Sequence, residues 1–321
     1  MKTDKVSLIQ FIEDNYDVGP IISLERIKNG INHKNYLVIT TNLKYVLRIV
    51  EENISNQKNN MIPFMQYAET INFPCPKIII SNQKTTHFIV NKKLLLLMSY
   101  EPGEQGELET ITIQKINSFA NTLAKFHTIN WTLKHKSKNL ELNHVFNLYG
   151  QYLPKIMAYK FENKDKFMKD MKSEYKILKK VLPNLFINLP KGLVHNDPTP
   201  WNTLFKKNDL SSLLDLESIG NGIFLLDIAR ALNIWCFKNN SLDKVRVDHF
   251  LKAYAKKRPL NQYEKDCLPM ILRFVAFRHC VYFMGLFIKH KSNNPTITID
   301  YDCLVYYRRI KNKELSKLLF V

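Results

Sequence analysis

Residues 192–217 read GLVHNDPTPWNTLFKKNDLSSLLDLE, and the fold turns on them. Four polar residues stand out between Gly192 and Glu217: His195, Asp197, Asn202 and Asp215. An apolar pair, Leu193 and Val194, delivers the first three, and Leu213, Leu214 and Leu216 bracket the last. A carboxylate and an amide five residues apart on a loop, followed by a strand bearing a second carboxylate, form the set that phosphoryl transfer to a hydroxyl requires. Asp197 is placed to accept the proton of the attacking hydroxyl, while Asn202 and Asp215 hold magnesium. That ion takes hard oxygen ligands and keeps several waters, so an amide oxygen and one or two carboxylates suffice. The competing reading is a polar turn, Asn-Asp-Pro-Thr-Pro, joining two strands. It leaves the flanking apolar runs without a role.

Composition narrows the alternatives. The 321 residues allow two modest domains or one large one, and 45% hydrophobic with 12% aromatic residues indicates a well-packed core. The richest apolar runs, such as Leu94 to Met98, have strand or core-helix length rather than the roughly 18 residues that span a bilayer. The N-terminal MKTDKVSLIQFIEDNY carries acids early and has no apolar stretch of signal-peptide type. Five widely spaced cysteines without a Cys-x-x-Cys pair fit reduced core thiols in a cytoplasmic protein. The net charge of +18 invites a nucleic-acid reading, yet lysine is spread along the chain without an aromatic-interleaved stripe. The run from Lys164 to Lys180 also contains Asp and Glu at helical spacing, as a solvated helix face does. Nucleic acid and membrane are therefore not expected partners, and the charge favours anionic ligands such as ATP.

Upstream, the pattern predicts a short helix over Ser7 to Tyr16, with Ser7 as N-cap, then strands at Ile21–Arg26, Asn35–Thr40 and Tyr45–Val50. The segment from Lys28 to Lys34 contains Gly30, Asn32 and a second Asn, residues tolerant of positive φ. It reads as an ordinary hairpin turn or as a loop whose N–H groups approach phosphates. In the third strand Arg48 points away from Leu47 and Ile49, where its cation suits nucleotide phosphates. A helix is expected over Asn56–Asn72, with Pro63 in its first turn or breaking it, followed by extended Phe73-Pro74-Cys75-Pro76. Strands follow at Lys77–Ile80, His87–Val90 and Lys93–Tyr100. The boundary between a strand-rich lobe, 1–99, and a helical lobe, 100–321, is placed there. In a two-lobed nucleotide enzyme the backbone of Ser99, Tyr100 and Glu101 meets the adenine edge.

Helices are then predicted at Ile111–Ile129, 143–158 and 164–182, the last ending before Pro183. His127 reads as a core or helix-end residue. Phe224–Phe237 reads as a helix with Asp227 in its first turn, either bonding back to the catalytic loop or answering the helix dipole. From Leu242 onward the chain reads as helical, with a long aromatic-rich helix over Pro269–Ile288.

With VHNDPTPWNTLF and LLDLESIGNGIFLLDIARAL in view, the chain resembles the aminoglycoside phosphotransferase and choline kinase superfamily, over most of its length. Within it the likeness runs to the homoserine kinases of this fold. It lies in Gly30-Ile31-Asn32-His33-Lys34-Asn35-Tyr36, Tyr45-Val46-Leu47, Ile62-Pro63-Phe64, Pro74-Cys75-Pro76, Asn233-Ile234-Trp235-Cys236 and Leu272-Arg273-Phe274. The resemblance implies the α+β, two-lobed protein-kinase-like fold, with a small β-rich N-lobe and a larger helical C-lobe. It implies Asp197 as catalytic base, Asn202 and Asp215 as magnesium ligands, Arg48 in place of the phosphate-binding lysine, and the Lys28–Asn35 hairpin over the phosphates. Three departures stand out. No clear glutamate on the Asn56–Asn72 helix pairs with Arg48; Pro198 and Pro200 sit in the loop; and Glu217 follows Asp215 by two residues, as in choline- and thiamine-kinase-like members.

The expectation is an ATP- and magnesium-dependent kinase that phosphorylates a small hydroxyl-bearing metabolite, homoserine or a similar amino alcohol. His195 shapes the loop, and Glu217 meets a metal or a substrate ammonium. Acidic residues around the acceptor favour an aminoglycoside, whereas Arg273 or Arg278 reaching it favours a carboxylate. Choline or thiamine as acceptor, and a catalytically silent kinase-fold binding protein, are the rivals. Oligomeric state does not follow from the sequence.

Overall fold

A computed structural model of the chain describes residues 4–27, 33–51, 54–131, 142–161, 163–238 and 241–291. The elements run α1 (Lys5–Asn15), β1 (Ile21–Ile27), β2 (Lys34–Thr40), β3 (Lys44–Val50), α2 (Ile54–Asn56), α3 (Ile62–Thr70), β4 (Phe88–Val90), β5 (Lys93–Ser99) and β6 (Glu104–Gln105). Then come α4 (Ile113–Thr128), α5 (Leu142–Met157), α6 (Lys164–Asn188), β7 (Lys191–Val194), β8 (Thr203–Lys206), β9 (Asp209–Leu213), β10 (Gly220–Ile223) and α7 (Phe224–Trp235). A small pair, β11 (Phe237–Lys238) and β12 (Ser241–Leu242), precedes α8 (Lys244–Ala255) and α9 (Gln262–Lys291). This is the mixed α+β composition expected, with strands early and helices late.

Two compact units divide the chain. The first draws on Met1–Gly106 and Trp201–Ile219, the second on Glu107–Thr132, Lys136–Pro200 and Gly220–Val321. One division falls between Pro200 and Trp201, inside the loop that links Asp197 to Asn202.

The first unit is organised by an antiparallel sheet in the order β1-β2-β3-β5-β4. Strand alternation sends Tyr45, Leu47 and Ile49 of β3 and Leu95 and Leu97 of β5 to one face, where Leu8, Ile12 and Tyr16 complete the core. Arg48 therefore lies on the opposite face, as the alternation predicts. The first helix is capped by Asp4, whose side chain accepts the Ser7 N–H at 3.0 Å, and not by Ser7. An earlier cap gives the helix an additional turn. Lys77–Ile80 is not a strand but a segment with one bridge, Ile78 to Met98, and Pro76 immediately before it has no N–H to extend a ladder. The helix expected over Asn56–Asn72 ends at Thr70 and contains a π turn, Gln57–Met61, in which the Ile62 N–H donates to the Gln57 carbonyl. Pro63, just beyond, has no N–H to continue an ordinary helical ladder, and the wider turn hands the register over. A three-stranded sheet, β6-β8-β9, completes the unit.

The second unit is helical around α7, whose residues are buried on nearly every side, the pattern of a central helix. Helix α9 packs on α7, α5 and α6, and α4 packs on α8. Helix α6 runs through Pro183 to Asn188 instead of stopping at 182. Pro183 sits on the exposed side, so the carbonyl it leaves unbonded turns to water at modest cost. Cys75, Cys236, Cys267 and Cys280 are buried thiols outside any disulfide, and Cys303 lies outside the described residues. Among the described residues one helix, over Gln262–Lys289, is long and apolar enough to cross a membrane by length and composition alone, although no uninterrupted apolar run in it reaches 18 residues. Most of that window is buried within the protein.

Candidate active site

In the first unit the phosphate-side residues converge. Arg48 Nη2 lies 3.0 Å from Asp215 Oδ1 and 2.5 Å from Glu217 Oε2, and its side chain is only 10% exposed. Glu217 is gathered in from further sides. His33 pairs with its carboxylate, Gln57 Nε2 donates to Oε2 at 3.2 Å, and the Asn56 side chain donates to its backbone carbonyl. The acid that holds Arg48 thus comes from the Asp215-Leu216-Glu217 segment, not from the helix, which contributes Gln57 and Asn56. Glu69 pairs instead with Lys77 at 3.2 Å, and Glu51 with Lys34 and Lys93. Those two lysines pull the Glu51 carboxyl down to about 2.

Asp215 does not ride on a strand. β9 stops at Leu213, and Asp215 takes a left-handed backbone, φ 55° and ψ 52°, which opens a 3-10 turn over Leu216–Ser218. For a non-glycine residue that conformation costs about 1–3 kcal/mol, and such costs are held at functional sites by surrounding contacts. It aims two acids spaced by one residue at the same guanidinium, which strand alternation also allows but a longer strand would carry away from Asn202. The Leu214 N–H donates to the Asn202 carbonyl at 2.8 Å, so the 3-10 turn Pro200–Asn202 is bonded to the chain immediately before Asp215. An amide oxygen and a carboxylate on neighbouring backbones are hard donors of the kind magnesium takes together with phosphate oxygens.

Ser99 ends β5 and is used locally. Its N–H donates to the Lys77 carbonyl at 2.8 Å, and its hydroxyl donates to Glu101 Oε1 at 2.5 Å. The Tyr100 N–H donates to the Lys44 carbonyl at 3.3 Å. Gly30 and Asn32 lie outside the described residues.

The second unit holds the loop that presents Asp197. Asp227, in the first turn of α7 and 1% exposed, accepts the backbone N–H groups of His195 at 2.6 Å and Asn196 at 2.9 Å. Its Oδ2 also lies 3.2 Å from His127 Nε2, and His127 Nδ1 lies 2.6 Å from the Tyr254 hydroxyl, which Arg258 reaches at 3.3 Å. These distances fit one relay of donors: Arg258 to Tyr254, Tyr254 to His127, His127 to Asp227. Burial holds His127 below its ordinary value, so it stays neutral. Burial alone would raise the Asp227 carboxyl, but the His127 bond and the His195 N–H outweigh it and keep it low. His127 is therefore both a core residue and a support of the loop.

Within the loop the Asp197 N–H donates to His195 Nδ1 at 3.2 Å, and Asn196 adopts φ 69°. Trp235 Nε1 donates to the Pro198 carbonyl at 3.0 Å while its ring stacks on Phe119 at 4.2 Å. The Asp197 carboxylate meets Arg230 Nη2 at 2.5 Å. Arg230, Trp235 and the buried His127 escaped the sequence reading as site residues. For Arg230 a signal existed, since it follows Asp227 by three positions and so shares its helix face.

The chain matches the family described as phosphotransferase enzyme family over residues 23–260. It is 29% identical to the homoserine kinase of Methylobacillus flagellatus over 268 residues, covering 82% of this chain and 79% of that one. With the homoserine kinase of Brucella anthropi the identity is 23% over 319 residues, covering 96% and 92%. Among solved structures, an amicoumacin kinase in complex with AMP-PNP and Ca2+ superposes with a TM-score of 0.73 at 15% identity, covering 98% and 94%. A microcompartment-associated aminopropanol kinase gives 0.72 at 14%, covering 97% and 98%. These likenesses show the protein-kinase-like fold. With a family match across most of its length and the loop and acid pair built as described, the chain belongs to the phosphotransferase enzyme family, as a kinase of small molecules.

Proposed function

We propose that the protein phosphorylates the side-chain hydroxyl of homoserine, or of a closely similar amino acid or amino alcohol, using ATP and magnesium. The observation that carries the catalytic part is the pair of acids, Asp215 and Glu217, on Arg48 Nη2. The resemblance left this arginine without a helix glutamate, a gap that suited a silent binding protein, and Glu217 fills it at 2.5 Å. The choice of acceptor is supported by the relatives named homoserine kinase, which the chain matches over 82–96% of its length.

In this reading Asp197 takes the proton of the acceptor hydroxyl as its oxygen bonds to the γ-phosphorus, and the bond from that phosphorus to the leaving ADP oxygen breaks. Arg48 carries positive charge to the phosphates, and Glu217 fixes its direction. Magnesium held by Asn202 and Asp215 would neutralise charge on the phosphate oxygens. Glu101 is the hinge residue suited to adenine, since Ser99 and Tyr100 spend their N–H groups inside the protein. Asp227, His127 and Trp235 hold the loop that presents Asp197, and such positioning carries much of the rate in a transfer that needs little covalent chemistry from the protein.

The test is ADP release with ATP and magnesium against homoserine, choline, thiamine, kanamycin and no acceptor, with Asp197→Asn beside the wild type. Homoserine-dependent turnover that falls by about 100-fold or more in the variant is expected, the usual range for loss of a general base. Turnover with choline or kanamycin but not homoserine would overturn the acceptor, and nucleotide binding without any turnover would return the silent reading.

A further inference from the structure

Helix α9 packs along α7, and the Asn233 side chain of α7 donates to the Leu272 carbonyl of α9 at 3.2 Å. Two arginines of α9 lie close to that junction, and they are treated differently. Arg273 is spent on Glu174 of α6, which it grips with Nε at 3.0 Å and Nη2 at 2.6 Å. Arg278, five residues on and so about 140° further round the helix, forms no ion pair or hydrogen bond with another described residue. Its charged neighbours are Arg230 first, then Asp197 and Asp227. Asp227 is already occupied by two backbone N–H groups and His127, and Asp197 by Arg230. Burial and the like charge of Arg230 push Arg278 down to about 9, so it remains a cation at neutral pH. Arg278 is partly exposed and, among the described residues, has no ion pair, so its guanidinium fork near Asp197 is left for an anion to occupy.

We propose that Arg278, together with Arg230, forms an anion subsite that receives the carboxylate of the acceptor beside Asp197. The inference rests on the reading above that Asp197 serves the acceptor hydroxyl. Guanidinium forks match a planar carboxylate with two parallel hydrogen bonds. The subsite selects alcohols that carry a carboxylate a few bonds from the hydroxyl, and its charge disfavours choline and polycationic aminoglycosides.

The experiment compares L-homoserine with 3-aminopropan-1-ol, which is homoserine without its carboxylate, and with L-serine and 4-hydroxybutyrate. Wild type, Arg278→Met and Arg278→Lys are measured at saturating ATP and magnesium. Wild type should prefer homoserine, and Arg278→Met should raise the homoserine KM by about 30-fold, the loss expected for a charge-assisted hydrogen bond. The loss falls on KM rather than kcat, as for uniform binding, and the preference over 3-aminopropan-1-ol collapses. Arg278→Lys keeps the charge and loses the fork, so its preference is lowered without being abolished, and it carries the test should Arg278→Met fail to fold. An unchanged preference in both variants overturns the subsite while leaving the homoserine reading standing. Turnover of 4-hydroxybutyrate but of neither amino acid nor the amino alcohol, sensitive to Arg278, overturns that reading and upholds the subsite. Turnover of 3-aminopropan-1-ol in preference to every carboxylate-bearing acceptor overturns the subsite and leaves the amino-alcohol reading standing. Calorimetric binding of the same acceptors in the presence of AMP-PNP covers a protein that turns none over: carboxylate binding weakened by Arg278→Met upholds the subsite, and no carboxylate binding by wild type overturns it.

Discussion

The two arginine sites invert one another. In the first unit a single guanidinium, Arg48, is held by two carboxylates, Asp215 and Glu217. In the second, two guanidiniums stand near Asp197: Arg230 is in contact with it, and Arg278 has no ion pair among the described residues. The two acids on Arg48, in the unit that also holds Asn202, suit a divalent cation, and the unpaired guanidinium near Asp197 suits an anionic acceptor. A charged group left without its counter-charge in a partly buried cluster is costly, so where one persists it describes the ligand better than the paired residues do.

The comparison can be broken most sharply at the first cluster. Glu217→Ala leaves the Arg48 charge buried with a partner that is more exposed than the one lost, and should lower stability by about 3 kcal/mol, at the lower end for a broken buried pair. The denaturant midpoint reads that loss. A finer test moves the acid to where the resemblance first sought it. Gln57→Glu in a Glu217→Gln background should recover most of the activity that Glu217→Gln loses, because Gln57 already sits 3.2 Å from the Glu217 carboxylate. If the double variant is no better than the single, the site does not depend on an acid at Arg48.

In the second unit the pH dependence follows from His127. Its folded value lies below 6.5 because of burial, so the unfolded chain takes up the proton first as pH falls. Stability is full above about pH 6.5 and declines below it, at up to about 1.4 kcal/mol per pH unit. Asp227, held low, adds a loss in the same direction further down, once pH falls through its folded value. His127→Asn should be less stable at pH 7.5 yet lose less between pH 7.5 and 5, as urea midpoints would report. A parallel decline in both proteins would remove His127 from the relay. The smallest effect belongs to Trp235→Phe, which keeps the stacking on Phe119 and deletes one hydrogen bond to Pro198, a loss of about 1 kcal/mol. It should lower kcat more than it raises the acceptor KM.

What was legible in the sequence was whatever alternation or short spacing encodes. Strand alternation placed Arg48 away from Leu47 and Ile49, and the spacing from Asp197 to Asn202 gave the loop. The Arg48 partner was not legible, because Glu217 lies 169 residues away and no local pattern links them. The left-handed turn at Asp215 was hidden for a different reason: Leu213, Leu214 and Leu216 have strand composition, and only the tertiary pull of Arg48 and Asn202 ends the strand early. Pro183 misled because a proline's cost depends on which side of the helix it faces, a fact fixed by packing. Arg230 was not singled out, and Arg278 could not be told from Arg273 as the arginine for an acceptor carboxylate until the helices bearing them were set side by side.

The grip of Asp227 on the His195 and Asn196 amides has a consequence in time. Loop amides usually exchange their hydrogens with solvent through brief local openings. These two donate to a carboxylate that is almost wholly buried, so releasing either one strands a charge away from water. They should exchange as slowly as the centre of α7, on the timescale of global unfolding. The segment that presents Asp197 would then be among the most persistent parts of the molecule, a loop by its backbone path and a core element by its clock.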